Sequence, residues 1–236
     1  MTDAPRERAP VVTPRATREL DPTRRTIADR LTESWRQAPH VTVFRDVDAA
    51  ALTAFAADLG EDSPASIVDV VLLAVAEAAL AHPAFNATFE DGALTTVEEV
   101  NVAVAVDTDA GLLAPVVADV AGRDLEAVAR DRRSLTERVR AGEQTMADLR
   151  GGTITVTNLG PLGVDAFTPV INPPQVAIVS LGRLRERVVL DAGEARAVPE
   201  LPLGVTFDHR PVDGADAARF LDAIADALAE PEALVG

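Results

Sequence analysis

Residues 203–229 read LGVTFDHRPVDGADAARFLDAIADALA, a stretch in which a strand, a tight turn and a helix follow one another. From Leu203 to Phe207 apolar residues alternate with small or polar ones, which predicts a strand with one buried face. A helix is predicted from Ala215 to about Ala229, because its apolar residues share one stripe: Phe220, Leu221, Ile224 and Leu228.

The turn between these two elements carries side chains that could serve chemistry. His209 follows the strand and precedes a proline and a glycine, a position that can present a side chain into a cleft. A lone histidine there can equally be an ordinary surface residue. Asp213 can be a helix cap, since it immediately precedes the helix and Asp216 follows three residues later. The residues of the turn leave these alternatives open.

The rest of the chain alternates between strands and helices in the same way. The predicted helices start at Thr26 (with Ile27, Leu31 and Trp35 on one stripe and Pro39 as the stop), at Asp48, at Ser66 before the run Ile67–Ala81, and at Asp124. The predicted strands are Val41–Val47, Val100–Val106, Thr153–Thr157 and Val176–Leu181, with a shorter apolar run at Leu112–Val120. Some strands are separated by helices and others by short turns, which predicts a two-layer α/β sandwich with a mixed β-sheet.

Composition excludes several classes of site. The chain has 236 residues, 47% of them hydrophobic, enough for a sizeable core. It has no cysteine, which excludes disulfides, thiolate metal sites and an acyl-cysteine intermediate. Its three histidines, His40, His82 and His209, are spread along the chain, so we expect no metal site. All 22 basic residues are arginine, a bias that either a GC-rich coding sequence or adaptation to high salt would give.

Charge and hydropathy bear on partners and location. The net charge of -16 argues against nucleic acid as a partner, because phosphate binding needs a basic surface. The apolar run Ile67–Ala81 is interrupted by Asp69 and Glu77 and is too short to span a bilayer. Residues 1–21 carry scattered charge and prolines without an apolar segment, which predicts a flexible arm and no signal peptide. We therefore expect no membrane association and a cytoplasmic location.

The segment Asp208–Gly214 (DHRPVDG) resembles the active-site motif of the acyltransferase component of 2-oxoacid dehydrogenase complexes. His-x-x-x-Asp-Gly is shared with chloramphenicol acetyltransferases and peptide-synthetase condensation domains, whereas Asp-His-Arg is more particular to the dehydrogenase complexes. Other segments are similar to landmarks of that family in the same order: TRRTIADRL at 23–31, PHVT at 39–42, HPAFNA at 82–87, NVAVAVDTDAGLLAPVV at 101–117, GGTITVTNLG at 151–160 and INPPQ at 171–175. The resemblance covers residues 20 to 235 and implies a chloramphenicol-acetyltransferase-like fold.

The reaction that the resemblance implies is transfer of an acyl group between dihydrolipoamide and coenzyme A. A free thiol, with a pKa of about 8.5, needs a base at neutral pH, and imidazole near 6.5 can serve both directions. The resemblance makes His209 this general base and Thr157 the hydroxyl donor to the oxyanion. Without the resemblance, Thr157 is explained equally as an ordinary β-branched residue on the polar face of a strand. The resemblance makes Asp213 an active-site residue that holds the shape of the site, which is compatible with a cap. Asp208 and Arg210 are expected to brace the turn through ion pairs.

The resemblance also implies substrates and partners. Coenzyme A would be a substrate, with Arg24, Arg25 and Arg30 as candidate contacts to its phosphates, although a solvated basic helix face explains them equally well. Asn158, next to Thr157, is a further candidate substrate contact. The family forms homotrimers with active sites shared between subunits, alongside the other dehydrogenase-complex components, and its C-terminal leucine run, which helps to close larger shells, is lacking after Pro231.

The expected domain organisation is an arm at 1–21 and one catalytic domain at 22–236, without the lipoyl and subunit-binding domains of longer family members. A chain without lysine cannot carry lipoate, so the lipoyl group is expected from a separate protein. Two other functions remain open: a non-catalytic trimeric scaffold, and a coenzyme A-dependent acetyltransferase that acts on a small molecule. The residues do not identify the acyl group.

Overall fold

The structure, a computed structural model, describes residues 13–60, 62–109 and 111–235. Most of the predicted arm, residues 1–12, lies outside them. The helices are α1 (Pro22–Gln37), α2 (Ala50–Asp58), α3 (Ile67–Ala81), α4 (Leu125–Ala141) and α5 (Gly214–Ala229). The strands are β1 (His40–Asp48), β2 (Ala87–Glu90), β3 (Ala93–Thr96), β4 (Val102–Val104), β5 (Val106–Thr108), β6 (Gly111–Leu113), β7 (Val116–Val117), β8 (Ile154–Asn158), β9 (Ala177–Leu181), β10 (Arg185–Asp191) and β11 (Glu194–Asp208).

The main sheet is mixed, as the sequence predicts. Its order is β1-β11-β9-β8-β4-β7, with β10 paired to the first half of β11. The pairs β4–β8 and β8–β9 are parallel, and the remaining pairs are antiparallel. The hairpins β2–β3 and β5–β6 are separate from this sheet. A mixed sheet with helices packed on it confirms the predicted fold class.

The two faces of the main sheet differ in chemistry. One face is apolar, with Val156, Val179 and Val205 in adjacent positions on β8, β9 and β11, and it belongs to the core that includes α3 and α5. The other face carries hydroxyl groups and small residues: Thr155, Thr157, Ser180, Gly204 and Thr206. The irregular segment 159–176 lies along this second face, since Ser180 Oγ donates to the carbonyl oxygen of Phe167 at 3.4 Å. The polar face of the sheet therefore carries Thr157, one of the candidate site residues.

The prediction of one strand from Val100 to Val106 is wrong. β4 ends at Val104, the N–H of Ala105 donates to the carbonyl oxygen of Val156, and β5 then pairs with β6 in another sheet. Val100, Val102 and Val106 are nevertheless buried, so the alternation correctly indicated one inward face. Apolar periodicity reports which side chains are buried and carries no information on which strand supplies the hydrogen bonds.

The ribbon of β10 and the first half of β11 is absent from the sequence prediction, which placed a strand only at Leu203–Phe207. Both faces of this ribbon are exposed at its tip, with Val188 at 70% and Leu190 at 79% exposure, so no buried face produces an apolar alternation. Its two-residue turn has φ of 49° at Ala192 and 90° at Gly193. Two positive φ values in a two-residue hairpin turn suit the right-handed twist of the flanking strands.

The first helix begins earlier than predicted and buries less. Pro22 occupies its first position, and the Asp21 carboxylate accepts the N–H of Arg24 at 2.9 Å, which caps the helix. Leu31 and Trp35, on the apolar stripe, are 40% and 65% exposed. Within the part of the chain that the structure describes, this stripe therefore remains largely uncovered.

Candidate active site

His209 lies immediately after β11, at the turn that leads into α5. Its backbone N–H donates to the carbonyl oxygen of Pro39 at 3.1 Å, which ties the turn to the residue before β1. Its ring lies beside Phe207, with ring centroids 5.4 Å apart, and its side chain is 39% exposed. The imidazole is therefore supported on one side and open to a substrate on the other.

Asp213 is the N-cap residue of α5, as the sequence suggests, and it also faces His209. Its backbone N–H donates to the Asp216 carboxylate at 3.4 Å. Its Oδ1 lies 3.7 Å from Nδ1 of His209, which is beyond hydrogen-bond length. The Asp213 carboxylate is 81% exposed, so the single chain brings the pair close without locking the imidazole.

Asp208 and Arg210 form an ion pair that stabilises the turn, as expected from the sequence. This pair is called the brace. The Asp208 carboxylate is 4% exposed and accepts from Nε of Arg210 at 3.0 Å and from its NH2 at 2.5 Å. It also accepts the backbone N–H of Arg210 at 3.0 Å. The hydrogen bond to Asp208 raises the pKa of Arg210 above its ordinary value. The guanidinium lies 4.7 Å from the centre of the Phe89 ring, a cation–π contact that fixes it further.

Thr157 lies on β8, in the interior of the main sheet and on its polar face. It is 7% exposed and is paired with Ser180 on β9. The hydroxyls of Thr153 and Thr155, on the same face, are bonded to Asn101 and Gln175. Among the described residues the hydroxyl of Thr157 has no such partner. It is thus held on a rigid strand with its proton free for a ligand.

The chain holds His209 and Thr157 far apart. In the strand register, Thr157 on β8 is paired with Ser180 on β9, and Ser180 is paired with Gly204 on β11. His209 lies five residues beyond Gly204. Two strand spacings and five residues of extended chain correspond to a separation of about 19 Å. The imidazole lies at the end of the sheet where β9 begins, and Thr157 lies near the end where β8 finishes. One thioester cannot contact both groups within one chain.

The other candidate residues fall into two groups. The Asn158 side-chain oxygen accepts the N–H of Gly160 at 2.8 Å and so shapes the loop after β8, beside an apolar cavity of about 290 Å³. Arg30 is used inside the chain, since its NH2 donates to Asn172 at 3.3 Å and to the carbonyl oxygen of Pro173 at 3.1 Å. Arg24 and Arg25 lie in the exposed first turn of α1 and form no ion pair among the described residues.

Gln175 is a site-supporting residue that sequence reasoning did not single out. Its Oε1 accepts from Oγ1 of Thr155 at 2.5 Å, and its Nε2 donates to the carbonyl oxygen of Gly152 at 2.9 Å. Both partners belong to the segment that leads to Thr157. The signal in the sequence is a polar residue at the end of the INPPQ segment, but its partners lie more than 15 residues away in the chain.

The described residues form neither a metal-binding cluster nor a membrane-spanning helix. No group of three or more histidine, aspartate or glutamate side chains is placed so that it could hold a metal ion. No helix in the ranges that the structure describes combines the length and the hydropathy needed to cross a membrane.

The family model described as 2-oxoacid dehydrogenases acyltransferase (catalytic domain) matches residues 13–236. The chain belongs to this family. A curated relative, the dihydrolipoyllysine-residue acetyltransferase component of the pyruvate dehydrogenase complex of Staphylococcus aureus, is 34% identical over 231 residues, which cover 94% of this chain and 53% of the relative. The corresponding protein of Staphylococcus epidermidis is 33% identical with the same coverage. The chain spans about half the length of these curated relatives.

Solved structures agree with this assignment. The dihydrolipoamide acetyltransferase of Azotobacter vinelandii superposes with a TM-score of 0.89 at 30% identity, covering 97% of this chain and all of that one. That structure was determined to study the role of a serine, a histidine and an asparagine in the catalytic mechanism of that enzyme. A chloramphenicol acetyltransferase superposes with a TM-score of 0.57 at 15% identity, covering 85% of this chain and 94% of that one, which shows the shared fold alone.

Proposed function

We propose that this acyltransferase-family chain transfers an acyl group between coenzyme A and a dihydrolipoyl group carried on a separate protein. The observation that carries the proposal is the placement of a half-exposed imidazole on a braced turn and of an unpaired hydroxyl on a rigid strand. In the Azotobacter vinelandii enzyme the serine lies as far before the histidine, and the asparagine as far after it, as Thr157 and Asp213 lie before and after His209. This agreement supports catalytic roles for all three residues.

In the proposed reaction His209 removes the proton from the attacking thiol. Because Nδ1 of His209 faces Asp213, Nε2 is the nitrogen available to the thiol. The thiolate forms a carbon–sulfur bond to the thioester carbonyl, and the resulting oxyanion accepts a hydrogen bond from the hydroxyl of Thr157. Collapse of this intermediate breaks the original carbon–sulfur bond, and the departing thiolate takes back the proton from the imidazolium. The same groups serve the reverse direction, because both substrates are thiols.

The active site is proposed to lie between subunits of a homotrimer. Within one chain the two groups are about 19 Å apart, whereas each must come within about 3 Å of one reacting thioester. A second copy that places its Thr157 beside His209 resolves this conflict. The uncovered stripe of α1, with Leu31 and Trp35, supports an interface with another chain. A channel between subunits would admit two long thiol-bearing arms from opposite ends.

The charge and the composition of the chain support the proposed substrates. Arg24 and Arg25 are unpaired in the described structure of an otherwise acidic chain, and they are the proposed contacts for coenzyme A phosphates. Arg30 is a weaker candidate, because its guanidinium already binds the 172–173 segment. The lipoyl group is proposed to come from outside residues 1–236, since these contain no lysine that could carry it. The remaining components of a dehydrogenase complex are the proposed partners of the catalytic domain, residues 22–236, and a cytoplasmic location stays a prediction.

Subunit mixing tests the shared site directly. Neither His209→Ala nor Thr157→Ala homotrimers should transfer acyl groups at a useful rate, but mixed trimers should regain part of the activity, because some interfaces then contain both intact residues. Subunit exchange is verified by mass spectrometry of differently tagged chains. Confirmed exchange without any regained activity would place both groups in one site of one chain and overturn the shared-site proposal.

The reaction itself is tested with acetyl-, succinyl- and branched acyl-coenzyme A, each offered with free dihydrolipoamide. Transfer from one of them identifies the acyl group. Failure of all three in a folded trimer would favour the scaffold hypothesis over catalysis. Acetyl transfer to a small amine or alcohol, in the absence of transfer to dihydrolipoamide, would favour the small-molecule acetyltransferase.

A further inference from the structure

Both polar groups of the Ile171 backbone are held by the corner between α1 and β1. The N–H of Ile171 donates to Nε2 of His40 at 3.1 Å, and its carbonyl oxygen accepts from Oγ of Ser34 at 2.7 Å. Ile171 and Ser34 are 1% and 4% exposed, so the hydrogen bond between them is buried, and the bond to His40 is partly buried. With the contacts of Arg30 to residues 172 and 173, these three side chains form a clamp on the segment that crosses the polar face.

The partners of His40 assign different hydrogen-bonding roles to its two ring nitrogens. Nδ1 lies 2.8 Å from the carbonyl oxygen of Ala38, which can only accept, so Nδ1 carries the proton. Nε2 faces the N–H of Ile171 and must therefore be unprotonated. The ring also lies beside Trp35, with centroids 5.1 Å apart. In this arrangement His40 uses one ring nitrogen as a donor and the other as an acceptor.

The clamp is connected to both halves of the candidate site. Pro39, directly before His40, supplies the carbonyl oxygen that accepts the N–H of His209. His40 is also the β1 residue paired with Asp208. At its other end the clamped segment reaches Gln175, which holds Thr155 two residues before Thr157. A shift of Ile171 would therefore be transmitted to the turn of His209 and to the strand of Thr157.

We propose that His40 is a positioning residue for acyl transfer. Its hydrogen bond to Ile171 fixes the Ala38–His40 corner, and this corner in turn fixes the position of the turn that carries His209. This inference rests on the proposed function. His40 contacts neither substrate nor the reacting atoms, and it acts through the Pro39 carbonyl oxygen. Because misplacement by about 1 Å can cost on the order of a hundredfold in rate, a partly loosened corner is expected to cost about tenfold in kcat.

Two substitutions separate the nitrogens of His40. In His40→Asn the side-chain amide can replace the Nδ1 donor, but it lacks an acceptor that reaches Ile171. In His40→Gln the longer side chain can present its carbonyl oxygen near the position of Nε2. We expect His40→Asn to lower kcat about tenfold with little change in KM, and His40→Gln to stay within about threefold of the wild type. His82→Asn, at the end of α3, is the matched control and should leave kcat unchanged.

Hydrogen exchange gives a readout that does not depend on acyl transfer. In the intact assembly, peptides that contain Ile171 and His209 should exchange faster in His40→Asn than in the wild type and His40→Gln. A wild-type kcat in His40→Asn would overturn the positioning role. Equal losses of kcat in both variants with unchanged hydrogen exchange would also overturn it.

A second variant covers the case in which His40→Asn fails to fold. Ser34→Ala then tests the clamp from α1, and a wild-type kcat together with wild-type hydrogen exchange at Ile171 would count against the positioning role. A wild-type chain without acyl transfer overturns the proposed function and the positioning role together, whereas the exchange result still reports on the clamp itself.

Discussion

The turn that carries His209 and the strand that carries Thr157 hold their side chains in opposite ways. His209 is 39% exposed and lies outside regular structure, and its turn is secured by the Pro39 carbonyl oxygen and by the Asp208–Arg210 pair. Thr157 is 7% exposed and lies near the end of a central strand, where it is paired with Ser180 of the parallel neighbour β9. Local polar contacts hold the first residue, and an entire layer of backbone hydrogen bonds holds the second.

This difference matches what the two proposed roles require. A general base must exchange protons with substrates that arrive and leave, so it needs access and a supported but open ring. An oxyanion donor is most effective when it is already aimed at the developing charge and does not reorganise, so it needs a rigid element. The comparison teaches that one fold supplies both environments by using the turn after one strand and a paired position on another strand.

Removal of the imidazole should have the largest effect. His209→Ala is expected to lower the rate of acyl transfer by about 10²- to 10⁴-fold, because a positioned general base typically contributes that much. Transfer between acetyl-coenzyme A and dihydrolipoamide measures it, and thermal unfolding should show a folded chain. His82→Ala removes another histidine and should retain the rate. A wild-type rate in His209→Ala would end the comparison, because the turn would then have no catalytic role.

Removal of the hydroxyl on the strand should have the next largest effect. Thr157→Val keeps the branched shape that fits the sheet, so it should lower kcat by about 10²- to 10³-fold with little change in KM. Thr157→Ser, which keeps the hydroxyl, is the control and should retain most of the activity. Steady-state kinetics with both substrates separate the two parameters. A raised KM with an unchanged kcat would instead mark Thr157 as a packing or binding residue.

Disruption of the brace under the turn should affect stability. Arg210→Ala leaves the buried carboxylate of Asp208 with a backbone N–H as its remaining donor among those described, which should lower the free energy of unfolding by about 1–3 kcal/mol. Urea unfolding at a fixed protein concentration measures it. Arg219→Ala breaks an exposed pair with Asp216 and should change the free energy of unfolding by less than about 1 kcal/mol. Equal effects of the two substitutions would contradict a special role for the brace.

The smallest expected effect concerns the loop that leads to the Thr157 strand. The backbone N–H of Thr145 and then the side chains of Arg138 and Thr145 lower the pKa of Asp148 from its ordinary value of 3.8. A lowered folded-state pKa stabilises the fold above the unfolded-state pKa, and this contribution is lost as the pH falls through the folded-state pKa. Asp148→Asn should therefore be slightly less stable than the wild type at neutral pH, and the difference should vanish in acid.

Thermal unfolding of Asp148→Asn and the wild type between about pH 7 and pH 3 checks this dependence, since carboxylates of this type titrate near pH 4 in unfolded chains. A difference in unfolding temperature that stays constant across this range would contradict it. The measurement also sharpens the comparison, because it reports acid sensitivity on the Thr157 side of the molecule without altering either proposed catalytic residue.

Much of the fold could be predicted because local signals suffice for it. The helix that follows the His209 turn, the helix at Ile67–Ala81 and the strand that carries Thr157 all appear at nearly their predicted bounds, because a buried apolar face leaves a regular period in the sequence. The helix at Pro22 starts four residues before its predicted start at Thr26, because its start is set by the Asp21 cap and a proline. The β10–β11 ribbon could not be found, because neither of its faces is buried.

The sequence by itself determined the type of those elements that bury one face, the position of His209 in a turn, the cap at Asp213 and, through its motifs, the family. Only the tertiary structure decided how far apart the two halves of the site lie and which side chains secure them. The separation of His209 from Thr157 follows from strand order, and the contacts of His40 with Ile171 and of Gln175 with Gly152 join residues distant in the chain. Periodicity and capping act over a few residues, whereas sheet order and cross-chain hydrogen bonds arise when distant segments pack together.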